Sequence, residues 1–163
     1  MNTELKTELV EVLQVQIARS ITVQFHNLLE RFGETFSGVC NSRAYNVWKE
    51  TIRPCTDRVG TRMTDPIVLN EEKVASFSLM QAGLFADDLI AKVSAKAGEL
   101  TDGKAIRVSG ANFIITGKKG DKQVTIEQNQ IINVSVKGKL FNQYPARIYV
   151  DGKFTSAAAF NRI

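Results

Sequence analysis

Apolar residues recur every three or four positions through the first part of the chain. The recurrence joins Leu5, Leu9, Leu13, Ile17, Ile21, Phe25, Leu28 and Phe32. One stripe with a 3.6-residue period predicts an amphipathic helix, which starts at Glu4 with Thr3 as its N-cap and ends before Gly33. The helix would be about 44 Å long. The stripe packs within the chain or partly against a second copy, unless the helix breaks at the β-branched residues near positions 20–23.

A second helical pattern follows Asn70, which is the predicted N-cap with two glutamates in the first turn. Its apolar stripe is Val74, Phe77, Phe85, Leu89 and Val93, flanked by Ala82, Ala86 and Ile90. Between the two long helices, Ser42 is expected to cap a short helix that reaches Ile52. Residues 53–66 contain two prolines and three arginines, which predicts an irregular basic connector.

From Lys104 the apolar period changes to two, which is typical of strands with one buried face. The predicted strands are residues 104–109, 113–116, 123–127, 132–137 and 147–150. Residues 139–145 form a less regular crossing. Asp151 and Gly152 give the strongest turn signal of the chain, and Lys153 and Phe154 return along the sheet. Thr155 or Ser156 then caps a short helix from Ala157 to Ile163.

These patterns predict an α+β fold in a single domain of 163 residues. Residues 1–103 form a helical half with two long helices and a short one. Residues 104–163 form an antiparallel sheet of about five strands and a short C-terminal helix. The chain has no uninterrupted run of about 18 apolar residues, so we expect no membrane span. Acidic residues near the N-terminus do not fit a signal peptide, which predicts a cytoplasmic protein.

Charge is distributed unevenly along the chain. The net charge is +4, with +7 in residues 104–163 and −3 in residues 1–103. Such asymmetry favours a surface for an anionic partner. The alternative is that strand lysines maintain solubility and block edge-to-edge pairing.

Residues for catalysis or metal binding are sparse. His26 is the only histidine, and Cys40 and Cys55 lack the paired spacing of a zinc site, so both are expected to be free thiols. The loop at residues 117–122 joins strand to strand, whereas a phosphate-binding loop leads into a helix. We therefore expect no metal, no cofactor and no catalytic set. Catalysis by carboxylates or lysines that meet only in space stays open.

Basic and aromatic residues alternate toward the end of the chain, a pattern that suits phosphates and stacked bases. The predicted ligand-binding residues are Lys118, Lys119, Lys122, Lys137, Lys139, Tyr144, Arg147, Tyr149 and Lys153. Phe141 and Phe154 belong to the same stretch, but we expect them in the core.

The segment from Leu140 to Ser156, with Tyr-Pro-Ala-Arg-Ile-Tyr-Val-Asp-Gly at its centre, resembles the ends of small, uncharacterised proteins encoded by bacteriophages. The resemblance covers about a tenth of the chain and includes no catalytic motif. It implies a phage context, in which small basic proteins bind nucleic acid or block a host factor.

Three functional hypotheses follow from the sequence. The first is a non-enzymatic binding protein that presents a basic β surface to a nucleic acid or a nucleotide-like anion. The second is a phage-type interaction module that inhibits a host factor or defence enzyme through the first helix and the aromatic loop near Tyr144. The third is an enzyme that uses scattered carboxylates or lysines. The expected partners are an anion of this kind, a host protein, or a second copy of the chain through the first helix, but no membrane.

Overall fold

The computed structural model describes residues 2–109, 112–143 and 145–163. The predicted α+β class is confirmed, with four α-helices and nine strands in these ranges. The helices are α1 (Asn2–Phe32), α2 (Tyr45–Val47), α3 (Glu71–Ala97) and α4 (Ala157–Asn161). The strands are β1 (Thr56–Arg58), β2 (Ile67–Leu69), β3 (Asp102–Ser109), β4 (Asn112–Lys119), β5 (Lys122–Asn129), β6 (Ile131–Val134), β7 (Leu140–Gln143), β8 (Ala146–Val150) and β9 (Lys153–Thr155). A π-helical turn (Trp48–Ile52) follows α2, and 3-10 turns cover Val39–Asn41 and Arg53–Cys55.

The chain forms two compact units, each made of segments that are distant in sequence. Unit 1 contains Met1–Val12, Gly83–Ile131 and Gln143–Ile163, and unit 2 contains Leu13–Ala82 and Ile132–Asn142. Both long helices contribute residues to both units. The predicted division near residue 103 follows secondary structure and does not coincide with the units, and the single-domain organisation stays a prediction.

Helix α1 is continuous over 31 residues, so no break occurs near positions 20–23. It begins at Asn2, which places Thr3 inside the helix rather than at its cap. The predicted stripe is buried, with Leu9, Leu13, Ile17 and Ile21 all 0% exposed in the single chain. The stripe is therefore used within the single chain, and a second copy as a partner stays a prediction.

The buried stripe of α3 is built largely of small residues. Its N-cap is Asn70 as predicted, because Asn70 Oδ1 accepts a hydrogen bond of 3.1 Å from the Lys73 backbone N–H. The completely buried positions are Ser78, Ala82, Ala86, Leu89 and Val93. The predicted stripe residues Phe77 and Phe85 are only half-buried. Small side chains in the centre of a stripe allow a neighbouring element to approach closely, and large rings then lie at its margins.

Side chains of α1 reach α3 in each unit. In unit 1, Lys6 Nζ lies 3.1 Å from Asp87 Oδ1. In unit 2, Gln14 Nε2 donates a hydrogen bond of 3.2 Å to the Ala75 carbonyl. An early residue of α1 thus meets a late residue of α3, and a later one meets an early one, so the two helices run antiparallel.

Five strands of unit 1 form one antiparallel sheet in the order β3-β4-β5-β8-β9. One face of this sheet is buried and apolar. Its core side chains are Phe113, Ile115, Val124, Ile126, Ile148 and Val150. They follow the alternation that the sequence predicts, because successive residues of a strand point to opposite faces.

The hairpin turn and the last helix of unit 1 form as predicted. Asp151 and Gly152 both have positive φ angles, 50° and 79°, and Asp151 Oδ1 accepts a hydrogen bond of 3.0 Å from the Gln123 N–H. Ser156 caps α4 through a bond of 3.1 Å from the Ala159 N–H to its Oγ. The buried Phe160 anchors this helix.

Two connections that were expected to be irregular contain strands. The connector at residues 53–66 holds β1, which forms a hairpin with β2. The crossing at residues 139–145 holds β7, which pairs with β6 in a separate two-stranded sheet. The fourth predicted strand therefore corresponds to β6 and lies outside the main sheet, and β8 takes the place beside β5. Strands of three or four residues are too short for alternation to reveal them.

Helix α3 is, within the described ranges, the one helix long and apolar enough by length and composition to cross a membrane. Its most apolar window has a mean hydropathy of 1.2, and 28% of that window is buried. One such helix is weak support for a span, because the core helix of a soluble protein passes the same test.

Candidate functional site

The face of the five-stranded sheet opposite the apolar core is open to solvent. Strand register places these residues on it: Ala105, Arg107, Ile114, Thr116, Lys118, Thr125, Glu127, Arg147, Tyr149 and Phe154. We call this set the outer face. All of its side chains are exposed or half-buried except that of Ile114. A sheet covered on one side only thus offers unit 1 a broad surface for a partner.

Two aromatic rings stand together on the outer face. Tyr149 and Phe154 are register partners on β8 and β9. Their ring centroids are 6.1 Å apart with an interplanar angle of 75°, which is an edge-to-face pair. Phe154 is 70% exposed, so its predicted place in the core is wrong, and Phe141 is also exposed, at 38%. Phe154 belongs to the three-residue edge strand, where the ring is open to solvent.

Three cations and one carboxylate share this face. Arg107, Glu127 and Arg147 lie in one row across β3, β5 and β8, with Ile114 of β4 between the first two. Lys118 lies at the other end of β4, with Asp102 as its register partner. None of the three cations forms an ion pair with a carboxylate of the described residues. Their charges therefore remain available to an anion.

A shallow polar depression lies at one end of the outer face. Its lining is Asn112, Glu127, Asn129, Pro145 and Arg147, and its volume is about 230 Å³. Asn112 faces Asn129 across β4 and β5, and Glu127 faces Arg147 across β5 and β8. Directly opposed residues have Cβ atoms about 4.5–5.5 Å apart. The depression thus combines a carboxylate, a guanidinium and two amides within one small volume.

The structure brings together three of the nine predicted ligand-binding residues. Lys118, Arg147 and Tyr149 lie on the outer face. Lys119, Lys122 and Lys153 occupy the strand positions that point to the other face, so they lie on the inner side of the sheet, at its end or edge. Lys119 is held there, because its Nζ donates a bond of 2.8 Å to the Phe160 carbonyl and lies 4.1 Å from the centre of that ring.

The other predicted residues lie outside this sheet. Lys137 and Lys139 belong to unit 2, in and beside the turn between β6 and β7. Tyr144 is outside the described residues. Lys122 Nζ lies 4.0 Å from Asp151 Oδ2 and is partly engaged by it. The predicted basic stretch is therefore divided among three places, and the outer face holds its most compact part.

Three residues of the outer face were missed from the sequence, namely Arg107, Glu127 and Phe154. Arg107 could have been found, because it alternates with Ile106 and Val108 and must point away from them. Glu127 was not predicted, because anion-binding sites are usually built from basic residues. No local signal distinguishes the exposed Phe154 from a core phenylalanine, since its exposure depends on what packs over the edge strand.

The candidate chemical groups His26 and Cys55 both belong to unit 2. Groups of three or more His, Cys, Asp or Glu side chains that could hold a metal are absent among residues 2–109, 112–143 and 145–163. His26 is exposed and borders an apolar groove of about 520 Å³ in unit 2. Burial raises the pKa of the Cys55 thiol to about 11, although nearby Lys73 opposes this, so Cys55 is a poor nucleophile at neutral pH.

Known proteins offer no template for the outer face. Comparison of the chain with protein-family models, with curated proteins and with solved structures finds no match. The phage resemblance of residues 140–156 stays a prediction. The chemistry of the outer face is therefore the guide to what it binds.

Proposed function

We propose that the chain is a non-enzymatic protein that binds single-stranded nucleic acid on the outer face of its five-stranded sheet. The observation that carries this proposal is the ring pair of the half-buried Tyr149 and the exposed Phe154 on the same sheet face as Arg147. Aromatic rings supply stacking surfaces for bases, and unpaired cations attract phosphates. The combination fits a nucleic acid better than it fits a simple anion.

Stacking favours an unpaired strand over a duplex. In a duplex the flat faces of the bases are covered by their neighbours, whereas an unpaired base offers its face to a ring. Each base stacked on an aromatic side chain contributes about 1–3 kcal/mol. Phe154 has most of its surface in water, so a base that covers it also removes apolar area from solvent.

The cations lie across the sheet rather than along one strand. Arg107 on β3 and Arg147 on β8 are separated by three inter-strand steps, which is about 14 Å at 4.8 Å per step. A strand that crosses the sheet therefore meets a cation on each side of Ile114 and Glu127. Binding that relies on such contacts releases counterions and weakens as salt increases.

The test is fluorescence anisotropy with a labelled 12-mer of dT and a duplex of equal length at two salt concentrations. We expect the single strand to bind more tightly and to lose affinity at the higher salt. Phe154→Ala should weaken binding about fivefold or more, and Phe154→Tyr should retain it, because the ring is kept. Lys153→Gln is the matched control, since Lys153 adjoins Phe154 in sequence but lies on the opposite face of the sheet.

Two results would contradict the proposal. One is the absence of binding by either oligonucleotide at low salt. The other is binding that Phe154→Ala leaves unchanged and Lys153→Gln reduces, because the nucleic acid would then lie elsewhere.

A second function, interaction with a host protein, is favoured by one exposed turn in unit 2. Val136 is 82% exposed there and is followed by Lys137 and Lys139. The turn is closed by a bond of 2.9 Å from the Gly138 N–H to the Ser135 carbonyl. An exposed apolar side chain followed by two cations on a fixed turn suits an acidic surface with an apolar recess.

This alternative is tested by pull-down from bacterial lysate with the wild-type chain and Val136→Glu. Val59→Glu is the control, because Val59 is another exposed valine of unit 2. A protein captured by the wild type and by the control, but lost with Val136→Glu, would support an interaction module. Equal capture by all three proteins would exclude this turn as the contact.

We also propose that the protein is cytoplasmic, in a bacterium infected by a phage. The soluble α+β fold and the phage resemblance of residues 140–156 support this location. Fractionation of cells that express a tagged chain is the measurement, and recovery with the periplasmic fraction would contradict it.

A further inference from the structure

We infer that the polar depression lined by Asn112, Glu127, Asn129, Pro145 and Arg147 recognises an unpaired guanine base. This inference rests on the proposed binding of single-stranded nucleic acid and adds a base preference to it. Glu127 is the one carboxylate of the outer face, whose other charged members are Arg107, Lys118 and Arg147.

A carboxylate beside a phosphate chain opposes binding through charge repulsion. Glu127 is half-buried on the outer face, and it forms no ion pair with Arg147, its register partner, or with another cation of the described chain. Such a carboxylate retains its capacity to accept hydrogen bonds. It favours a ligand that brings two adjacent N–H donors to this position. Phosphates and sugars do not provide such a fixed pair of donors.

Guanine carries the complementary groups. Its N1–H and N2–H₂ groups form two adjacent donors that match the two oxygens of a carboxylate, whereas its O6 and N7 atoms form two adjacent acceptors that match a guanidinium. Glu127 and Arg147 are directly opposed on β5 and β8 and present these two functions side by side. Cytosine lacks the pair of adjacent donors that matches the carboxylate, and adenine and thymine lack both bidentate pairings.

The size and surroundings of the depression fit one base. Its volume of about 230 Å³ corresponds to about eight water molecules at ~30 Å³ each, which suits a single planar ring system. Asn112 and Asn129 at its other side add amide donors and acceptors. In a duplex the N1–H and N2–H₂ groups of guanine are engaged in base pairing, so this recognition requires an unpaired strand.

The experiment compares labelled dT 12-mers that carry one central dG, dI, dA or dC. We expect the wild-type chain to bind the dG strand about tenfold more tightly than the dA and dC strands. The dI strand lacks the N2 amino group and should lie between them. E127Q should abolish the preference for dG, because one of the two oxygens that accept from N1–H and N2–H₂ is replaced by an amide donor.

Failure of the base preference is distinguishable from failure of the proposed function. If the dT 12-mer binds and the dG strand shows no advantage, the inference is wrong and single-strand binding stands. If E127Q weakens every strand equally, Glu127 has a structural role and the inference is also wrong. If no strand binds at low salt, the proposed function itself fails.

Discussion

Burial of a single thiol decides how the chain responds to alkaline pH. Cys55 is completely buried, and its Sγ lies 3.9 Å from the carbonyl oxygens of Thr51 and Lys73. Desolvation raises the pKa of Cys55 from the ordinary 9.0 to about 11, with a smaller opposing effect of the Lys73 charge. The unfolded chain therefore loses this proton at a lower pH than the folded chain does.

Cys55 should make the free energy of unfolding decrease between pH 9 and 11, because the unfolded state binds fewer protons there. At pH 10 the loss relative to pH 8 is on the order of 1 kcal/mol. Urea unfolding of Cys40→Ala and of Cys40→Ala/Cys55→Ala at the two pH values measures it. If both proteins lose the same stability, Cys55 contributes nothing to the alkaline response.

Ser78 carries a buried hydroxyl with no hydrogen-bond partner in the described structure. An unsatisfied buried polar group costs about 1–3 kcal/mol. Ser78→Ala should therefore stabilise the protein by about 1 kcal/mol or more, including a gain in helix propensity. Ser94→Ala, on the exposed side of the same helix, measures the propensity gain alone. A Ser78→Ala variant less stable than wild type would show that the hydroxyl is satisfied.

At the scale of elements, Gly138 fixes the β6–β7 turn against the π-helical turn of unit 2. Thr51 Oγ1 donates a hydrogen bond to the Gly138 carbonyl. A Cβ atom at this position would overlap the Asn46 carbonyl oxygen and lie 2.9 Å from Glu50 Cβ. The position also has a φ of 78°, which only glycine adopts without cost.

Gly138→Ala should therefore destabilise the chain more than a change at another left-handed glycine. Gly152→Ala is the matched control, because its φ is 79° and its Cβ would meet no atom within 4 Å. We expect Gly152→Ala to cost about 1–2 kcal/mol and Gly138→Ala about 1–3 kcal/mol more, from overpacking. Denaturant unfolding of both variants measures the difference. Equal losses would mean that the turn can move away from Asn46.

At the scale of the whole molecule, α3 combines an apolar composition with charged residues near its centre. Asp87 and Asp88 lie three and four residues beyond Leu84, the midpoint of the helix. Asp87 pairs with Lys6, and Asp88 lies 3.0 Å from Lys92. An aspartate near the centre of a bilayer costs about 2.5–3.5 kcal/mol. These charges favour a helix that stays in water with the rest of the fold.

The chain should therefore remain in the aqueous fraction when it is floated with neutral phosphatidylcholine vesicles. Neutral lipid avoids simple attraction of the basic protein to anionic headgroups. Asp87→Leu/Asp88→Leu is the comparison, because it removes both charges from the middle of α3. Flotation of the wild-type chain with these vesicles would contradict the expectation and identify α3 as a membrane-binding element.

Local patterns in the sequence were sufficient for most elements. The 3.6-residue period located α1 and α3, the caps at Asn70 and Ser156 formed as predicted, and the Asp151-Gly152 turn closed its hairpin. Each of these features depends on a few neighbouring residues. The candidate site was predicted less well, because its members come from five strands and only Lys118, Arg147 and Tyr149 were named for it.

The sequence by itself determined the two long helices and the strands of the main sheet, and which residues of those strands share a face, because periodicity and turn chemistry act between near neighbours. Only the tertiary structure decided that β8, rather than β6, pairs with β5, and that Phe154 is exposed while Ser78 is buried. The physical reason is that strand partners and burial depend on contacts between distant residues, and each residue's own surroundings in sequence leave those contacts open.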